Sequence, residues 1–201
     1  VRDALDSGES ISLILVNREH DSEEVGGLVS AAEEAGIRVI KGSENDLWRM
    51  ARENSEEAPE ILALVGRDPA ASLDEVIAAG GLIWLLDGAK YPVNIGFCIR
   101  TAEVSGAAAV VVVGELNNSE RSAAKRASMK AHRFIPVFWQ SSSESILTAK
   151  SAGYRIIALE DIGDKAPWDV DITGPVLLIV GGERAGISEE AIALADEIIR
   201  I

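Results

Sequence analysis

Short apolar runs alternate with amphipathic stretches along the whole chain. The runs are rich in Ile, Val and Leu and show no alternation with polar residues, which predicts strands buried on both faces. The predicted strands cover residues 11–16, 37–40, 61–65, 82–86, 108–113, 135–138, 155–159 and 176–180. The amphipathic stretches predict helices over residues 22–35, 44–53, 72–79, 95–105, 120–131, 143–152 and 188–195. This order predicts an α/β fold in which crossover helices join the strands of parallel sheets.

A boundary between two units is expected shortly after the third predicted strand. The sequence Gly66-Arg67-Asp68-Pro69 follows that strand, and the next segment ends in Gly80-Gly81. The strand groups on the two sides also differ in charge balance. We therefore expect a small N-terminal α/β domain at 1–68, a linker with a short helix at 69–80, and a second domain at 81–201.

Charge is distributed unevenly between these parts. The chain has 19 basic and 33 acidic side chains, a net charge of −14 that should repel polyphosphates from the molecule as a whole. Residues 1–80 have a net charge of −11, whereas residues 81–201 have a net charge of −3. A solvated helix face is the ordinary explanation for a cluster of basic residues, but in so acidic a chain a contact with nucleic-acid phosphates is an equal alternative. The candidate nucleic-acid-binding residues are Arg121, Lys125, Arg126, Lys130 and Arg133.

Several classes of protein are excluded by composition. The longest uninterrupted apolar run, 107–113, has seven residues, whereas a membrane helix needs roughly 18 to 20. The single cysteine, Cys98, cannot form an internal disulfide, and its apolar neighbours make it a core residue rather than a nucleophile. No Cys or His cluster has metal-ligand spacing. We expect a cytoplasmic protein without a membrane span or a metal, and a chain trimmed at its start, since residues 1–4 lack Met and resemble the interior of a helix.

The first segment that could carry chemistry is 94–102, which follows a predicted strand and a loop. Asn94 is predicted to cap the helix, because its side-chain oxygen can accept an N–H of the first turn. Pro92 prevents the helix from extending backwards. Arg100 then lies one to two turns into the helix. On spacing alone, a capped helix with an exposed arginine, paired with Glu103, is the simpler interpretation.

The second segment is Gly181-Gly182-Glu183-Arg184-Ala185-Gly186, between a predicted strand and a predicted helix. Its glycines allow the backbone to approach a ligand closely at the carboxyl edge of the sheet, where open α/β sheets bind ligands. The segment matches neither the dinucleotide fingerprint nor the phosphate loop, and Glu183 would repel a phosphate. A tight structural turn and a ligand-binding loop are both open interpretations.

In this order, the two segments resemble the motifs of the SpoU (TrmH-like) RNA 2′-O-methyltransferases. Tyr91 stands where that family commonly has Asp, and Gly182 stands where it commonly has Asn. The family's third motif should begin directly after residue 201, so we expect trimming at this end too. The first motif is matched by Leu85-Leu86-Asp87-Gly88, Asn94-Ile95-Gly96 and Arg100-Thr101-Ala102, the linking segment by Arg126-Ala127-Ser128 and Ile135-Pro136-Val137, and the second motif by Gly181-Gly182-Glu183 and Gly186-Ile187-Ser188.

The resemblance implies a parallel-sheet α/β-knot (trefoil-knot, SPOUT-type) catalytic domain behind a small N-terminal α/β substrate-binding domain. It implies S-adenosylmethionine as the cofactor, a ribose 2′-hydroxyl of rRNA or tRNA as the methyl acceptor, and a homodimer. It implies catalytic roles for Asn94, Arg100 and Glu183. The cofactor-binding positions that it implies are Val180, Gly181, Gly182, Glu183, Gly186 and Ile201.

Two other functions stay open. A family member that has lost catalysis would bind RNA or a ribosomal particle without binding the cofactor. An unrelated α/β protein that binds a small nucleotide would fit the net charge of −14 and would not depend on Arg100.

Overall fold

The strands form two separate sheets, one in each of two units. The structure is a computed structural model that describes residues 1–51 and 57–200. The chain divides into Val1–Asp68, with a three-stranded sheet, and Pro69–Ile201, with a six-stranded sheet. Within the described ranges, none of the helices combines the length and the hydropathy that crossing a bilayer requires.

The first unit is built on strand β1, Ile11–Asn17, which lies between β2, Arg38–Gly42, and β3, Ile61–Val65. Strand β1 pairs with β2 in parallel and with β3 in antiparallel orientation. The prediction of parallel sheets is therefore wrong for β3, because an apolar run marks a buried strand without encoding its direction. The helices of this unit are α1, Arg2–Asp6, α2, Glu23–Glu34, and α3, Glu44–Met50; residues 52–53 of the predicted helix 44–53 lie outside the described residues.

The second unit contains the larger sheet. Its strands are β4, Leu82–Asp87, β5, Ala109–Val112, β6, Val137–Trp139, β7, Arg155–Leu159, β8, Val176–Gly181, and β9, Glu197–Ile199. Its helices are α4, Leu73–Ala79, α5, Pro92–Val104, α6, Asn118–Ala127, α7, Ser142–Ser151, and α8, Glu189–Leu194, with short 3-10 turns at Ala131–Arg133 and Pro167–Asp169. The strand order is β6-β5-β4-β8-β7-β9, and each adjacent pair is parallel.

Helices cover both faces of this sheet, as the continuous apolar strands predict. In β5, Ala109 and Val111 belong to a core with α4, α7 and α8, while Val110 and Val112 belong to a second core with α5 and α6. Residues 69–80, expected as a linker, contain α4, whose Val76 and Ile77 are buried in the first of these cores.

The strand order changes direction in the middle of the sheet. The chain runs outward from β4 through β5 to β6, whereas β7 starts on the far side of β8, so that β4 and β8 are neighbours. In open parallel sheets, the crevice at such a switch of direction, beyond the carboxyl ends of the strands, is where ligands bind. The loops that follow β4 and β8 leave the sheet at this position.

Helix boundaries differ from the predicted ones at two functional segments. Helix α5 begins at Pro92 with Tyr91 as its N-cap residue, so the prediction that Asn94 caps it is wrong. The physical reason is that proline suits the first helical position, where its φ is already helical and its missing N–H is not needed. Helix α6 ends at Ala127 rather than residue 131, because Met129 and Lys130 adopt left-handed φ values of 49° and 71°.

Helix α5 is held against α6 at its single glycine. A Cβ atom on Gly96 would lie 2.5 Å from the Ala127 Cβ and 2.7 Å from the Ala124 carbonyl oxygen. Neither distance is compatible with the present packing, since real Cβ atoms do not approach so closely. Gly96 therefore sets how closely α5 and α6 approach each other.

We expect Gly96→Ala to destabilise the second unit by about 1–3 kcal/mol, because the added methyl group overpacks the α5–α6 contact. The measurement is the free energy of unfolding from urea titrations. Gly26→Ala is the matched control, since Gly26 also lies in a helix but has nothing within 4 Å of the position that the added methyl group would take. Equal effects of the two substitutions would contradict the close-packing explanation.

Candidate active site

The candidate site lies at the carboxyl edge of the larger sheet, where four strands end together. Asp87, the last residue of β4, is the register partner of Gly181, the last residue of β8. On the other side of β8, Glu160 directly follows β7, and its backbone N–H donates a hydrogen bond to the Ile199 carbonyl at the end of β9, 2.9 Å away. The two motif segments predicted from the sequence thus meet at one edge.

The glycine-rich segment 181–186 forms a tight loop against the loop that follows β4. The backbone groups of Gly182 and Gly186 exchange two hydrogen bonds of 3.1 Å, and Gly186 has a φ of +64°. A Cβ atom on Gly182 would lie 2.3 Å from the Gly88 carbonyl oxygen, and one on Gly181 would lie 2.4 Å from the Gly186 carbonyl carbon. These contacts explain the glycines by close backbone packing, so the interpretation as a tight turn is confirmed for the loop itself.

Two carboxylates hold this loop in place. The backbone N–H of Ser188 donates to Asp87 Oδ2 at 2.8 Å, and that of Ile187 donates to Glu160 Oε2 at 2.9 Å. Asp87 is buried, with 3% of its surface exposed. Sequence reasoning included Asp87 in a motif without giving it a role and missed Glu160. The available signal was an acidic residue directly after a buried strand.

Asn94 and Glu183 are in direct contact. The Asn94 side-chain N–H donates to Glu183 Oε1 at 2.6 Å, although 89 residues separate them in the chain. Both side chains are exposed. Asn94 thus acts from the first turn of α5 as a link between the two motifs rather than as a helix cap.

Arg100 lies apart from this pair. Its Nη1 donates to the Met129 sulfur at 3.1 Å, and its side chain is exposed. In the described part of the chain, no hydrogen bond joins Arg100 to Asn94 or Glu183. The structure therefore brings together two of the three predicted catalytic residues and places the third beside the turn that follows α6.

Cys98 lies between these two contact points on α5. Burial raises the pKa of its thiol above the ordinary value, and the negative charge of Glu183 raises it further. A raised pKa keeps the sulfur in its unreactive protonated form. The cysteine packs against the core shared by α5 and α6, which agrees with the prediction of a core residue.

The predicted RNA-binding residues do not share one helical face. Arg121, Lys125 and Arg126 belong to α6, whereas Lys130 and Arg133 follow it, because the helix ends before the left-handed turn. Lys125, Arg126 and Arg133 are exposed. Arg121 is partly buried: its Nε donates to the Leu116 carbonyl at 3.0 Å, and its guanidinium lies over the Trp139 ring, 5.2 Å from the centroid.

His132 lies among these basic residues, and its pKa is affected by them. Its Nδ1 lies 2.9 Å from Ser128 Oγ. Burial lowers the pKa of His132 below its usual range, and the positive charges of Lys125 and Arg133 lower it further. The imidazole is therefore neutral near pH 7, and the charge of this surface comes from its lysines and arginines.

The remaining predicted cofactor positions fall on or next to the loop. Val180 is in β8, where it pairs with Leu86 and Leu159 and packs against the core shared by α5 and α6. Ile201 lies outside the described residues. Among the described residues, no group of three or more His, Cys, Asp or Glu side chains is placed to hold a metal ion.

The family model described as the SpoU rRNA methylase family matches residues 81–201, which is more than half of the chain. The chain belongs to the SpoU rRNA methylase family. The match covers the larger sheet and every candidate site residue. It confirms the resemblance found from the motifs.

Curated relatives of this SpoU protein include two 23S rRNA methyltransferases. The chain is 30% identical over 131 residues to the 23S rRNA (guanosine-2′-O-)-methyltransferase RlmB of Burkholderia sp, covering 65% of this chain and 53% of that one. It is 28% identical over 184 residues to the 23S rRNA (adenosine(1067)-2′-O)-methyltransferase of Streptomyces laurentii, covering 88% of this chain and 65% of that one. The chain thus spans between about half and two thirds of the length of these relatives.

Solved structures agree with the fold. The SpoU methyltransferase AviRb from Streptomyces viridochromogenes, solved in complex with the cofactor AdoMet, matches with a TM-score of 0.59 and 25% identity over 98% of this chain and 76% of that one. An rRNA methyltransferase from Sinorhizobium meliloti matches in fold, with a TM-score of 0.58 and 24% identity over 100% of this chain and 74% of that one. The parallel-sheet α/β fold expected for a SpoU protein is therefore shown.

We expect Glu183→Gln to lower the pKa of the Cys98 thiol and to speed its alkylation at pH 8, because a neutral amide no longer disfavours the thiolate. The pKa stays above the ordinary value, since burial still raises it. The measurement is the pH dependence of the iodoacetamide reaction rate. Glu189→Gln removes an equal charge from α8 and serves as control; identical pH profiles for both variants would contradict the placement of Glu183 beside α5.

Proposed function

We propose that this SpoU protein transfers a methyl group from S-adenosylmethionine to a ribose 2′-hydroxyl of ribosomal RNA. The observation that carries the proposal is the hydrogen bond of 2.6 Å between Asn94 and Glu183, which joins the two family motifs at the switch point of the sheet. Relatives whose names state 23S rRNA 2′-O-methylation support rRNA over tRNA as the substrate. The trefoil knot stays a prediction of the family resemblance.

The charge of the sheet edge suits this cofactor. Glu160 and Glu183 present carboxylates beside the glycine loop, an environment that favours a ligand with positive groups over a polyphosphate. Residues Val180, Gly181, Gly182, Glu183 and Gly186, together with Ile201, would hold the cofactor. When bound, S-adenosylmethionine supplies a methyl group already activated by a sulfonium sulfur, so the chain's task is to orient the acceptor hydroxyl.

Arg100 is proposed to stabilise the reacting hydroxyl as it loses its proton. A guanidinium stays protonated in proteins and is a poor base, but it binds an oxyanion and a neighbouring phosphate in a bidentate manner. Water or an RNA phosphate then takes the proton. The sulfur of Met129 is a weak acceptor, so the guanidinium can leave it for RNA at little cost in free energy.

RNA is proposed to approach the basic surface formed by Arg121, Lys125, Arg126, Lys130 and Arg133. Three of these side chains, Lys125, Arg126 and Arg133, are exposed and free of carboxylate partners in the described part of the chain. Met129, which contacts Arg100, lies within the same surface. Phosphate binding there would therefore place the RNA backbone beside the catalytic arginine. An rRNA substrate also supports a cytoplasmic location.

The exposed side of α5 supports a homodimer. Val93, Phe97 and Val104 follow helical spacing along this helix and are 54%, 54% and 71% exposed. Apolar side chains aligned on one helix face normally pack against a partner. A second copy would bury the same face on both protomers, as twofold symmetry requires. Arg100, also exposed on α5, would then lie close to the protomer boundary.

The proposed activity is tested with the natural-length protein, methyl-labelled S-adenosylmethionine, and separate rRNA and tRNA pools from unmodified cells. We expect label in an alkali-resistant dinucleotide from the rRNA pool. Arg100→Ala should reduce the rate by at least about a hundredfold, because it removes charge stabilisation of the transition state. Lys150→Ala, which removes a cation from α7 and an exposed ion pair with Asp196, should retain the rate.

Each alternative result has a distinct meaning. Label in tRNA alone would overturn the choice of rRNA. RNA binding without cofactor binding would favour a module that has lost catalysis. An Arg100→Lys protein with full activity would contradict the bidentate role of the guanidinium.

We expect Phe97→Asp to convert the dimer to a monomer, because it places a charge in the centre of the proposed interface. Sedimentation equilibrium measures the mass directly. Leu147→Asp is the matched control, since Leu147 is a similarly exposed apolar residue, at 53%, on α7. A monomeric unsubstituted protein, or a Phe97→Asp dimer, would contradict this interface.

A further inference from the structure

Glu160 has an unused acceptor at the edge of the proposed cofactor site. Its Oε2 accepts the N–H of Ile187 at 2.9 Å, whereas Oε1 has no hydrogen-bond partner among the described residues. The carboxylate lies flat against the loop: a Cβ atom on Gly186 would be 2.9 Å from Oε2 and 3.0 Å from Oε1. A Cβ atom at residue 186, whose φ is +64°, would require the Glu160 carboxylate to move away from the loop.

The position of Glu160 distinguishes it from the other carboxylates of this edge. Asp87 is buried and accepts the N–H of Ser188. Glu183 accepts the Asn94 side chain. Glu160 is half-buried at the end of β7, next to the switch point, with capacity for further hydrogen bonds, since an ionised carboxylate has about four acceptor sites.

We propose that Glu160 Oε1 accepts a hydrogen bond from a ribose hydroxyl of the adenosyl group. The assignment rests on the proposed function, because it takes S-adenosylmethionine as the ligand. In parallel α/β sheets, an acidic side chain at the carboxyl edge commonly accepts a ribose hydroxyl of a bound nucleotide, since vicinal hydroxyls are donors that a carboxylate can bind. Glu160 would then fix the ribose and, through Ile187, the loop that surrounds it.

The test combines a substitution at residue 160 with removal of a hydroxyl group from the ligand. Calorimetry measures the binding affinity of each combination, so the test does not depend on activity. The ligands are S-adenosylhomocysteine and its 2′-deoxy and 3′-deoxy analogues. Glu160→Gln keeps a side-chain oxygen for the Ile187 N–H but replaces the second oxygen with an amide that donates. We expect this variant to weaken binding of S-adenosylhomocysteine about tenfold, in line with loss of a hydrogen bond to a charged group.

The decisive result is the coupling between the two changes. For the unsubstituted protein, removing the bound hydroxyl should weaken affinity about tenfold; for Glu160→Gln, the same removal should change it less than about twofold. Asp161→Asn is the control, since it removes an equal charge from the exposed neighbour and should bind all three ligands like the unsubstituted protein. Hydrogen exchange at Ile187 checks that the loop is retained.

Other outcomes overturn the assignment in separable ways. If Glu160→Gln weakened binding of S-adenosylhomocysteine and of its deoxy analogues by the same factor, Glu160 would only support the loop. If the effect of Glu160→Gln on affinity changed with N6-methylation of the adenine, and not with removal of a ribose hydroxyl, Glu160 would contact the base instead of the ribose. If the unsubstituted natural-length protein bound no S-adenosylhomocysteine, the proposed function itself would fail, and this assignment with it.

Discussion

The site depends on two parallel strands, β4 and β8, that end side by side. Because Asp87 and Gly181 are register partners, the loops that follow them leave the sheet at the same level and must pass each other. They pass so closely that Gly182 has no room for a Cβ atom beside the Gly88 carbonyl. This contact sets where the glycine loop lies and therefore where Glu183 meets α5.

Charge is divided between two places that face different ligands. Carboxylates gather at the sheet edge, where a cofactor with positive groups is proposed, and cations gather on α6 and the turn after it, where RNA phosphates are proposed. The net charge of −14 is therefore compatible with RNA binding, because phosphates respond to the local potential of the surface they approach. Burial is the main cause of the lowered pKa of His132, and the positive charges of Lys125 and Arg133 lower it further.

Features that depend on local patterns, such as apolar runs, could be predicted from the sequence. Among the described residues, eight of the nine strands appear as apolar runs, whereas β9, three residues that include Glu197, is too short and too polar to be recognised. The direction of β3, the start of α5 at Pro92 and the end of α6 at Ala127 depend on pairing and backbone conformation, which apolar spacing does not encode. The family motifs implied that Asn94 and Glu183 belong to one site, but their direct contact, like that of Glu160 with Ile187, emerged only from the three-dimensional structure.

Helix α5 contacts both charged regions and so connects them. Asn94 in its first turn contacts the loop after β8, Gly96 seats it against α6, and Arg100 reaches Met129 beyond the end of α6. Asn94 and Arg100 are six residues apart, about 9 Å along the axis, so one rigid element spans from the proposed cofactor side to the proposed RNA side. A shift of α5 on α6 would therefore change both contacts together, so Gly96, at the closest approach of the two helices, helps to set the geometry of the proposed active site.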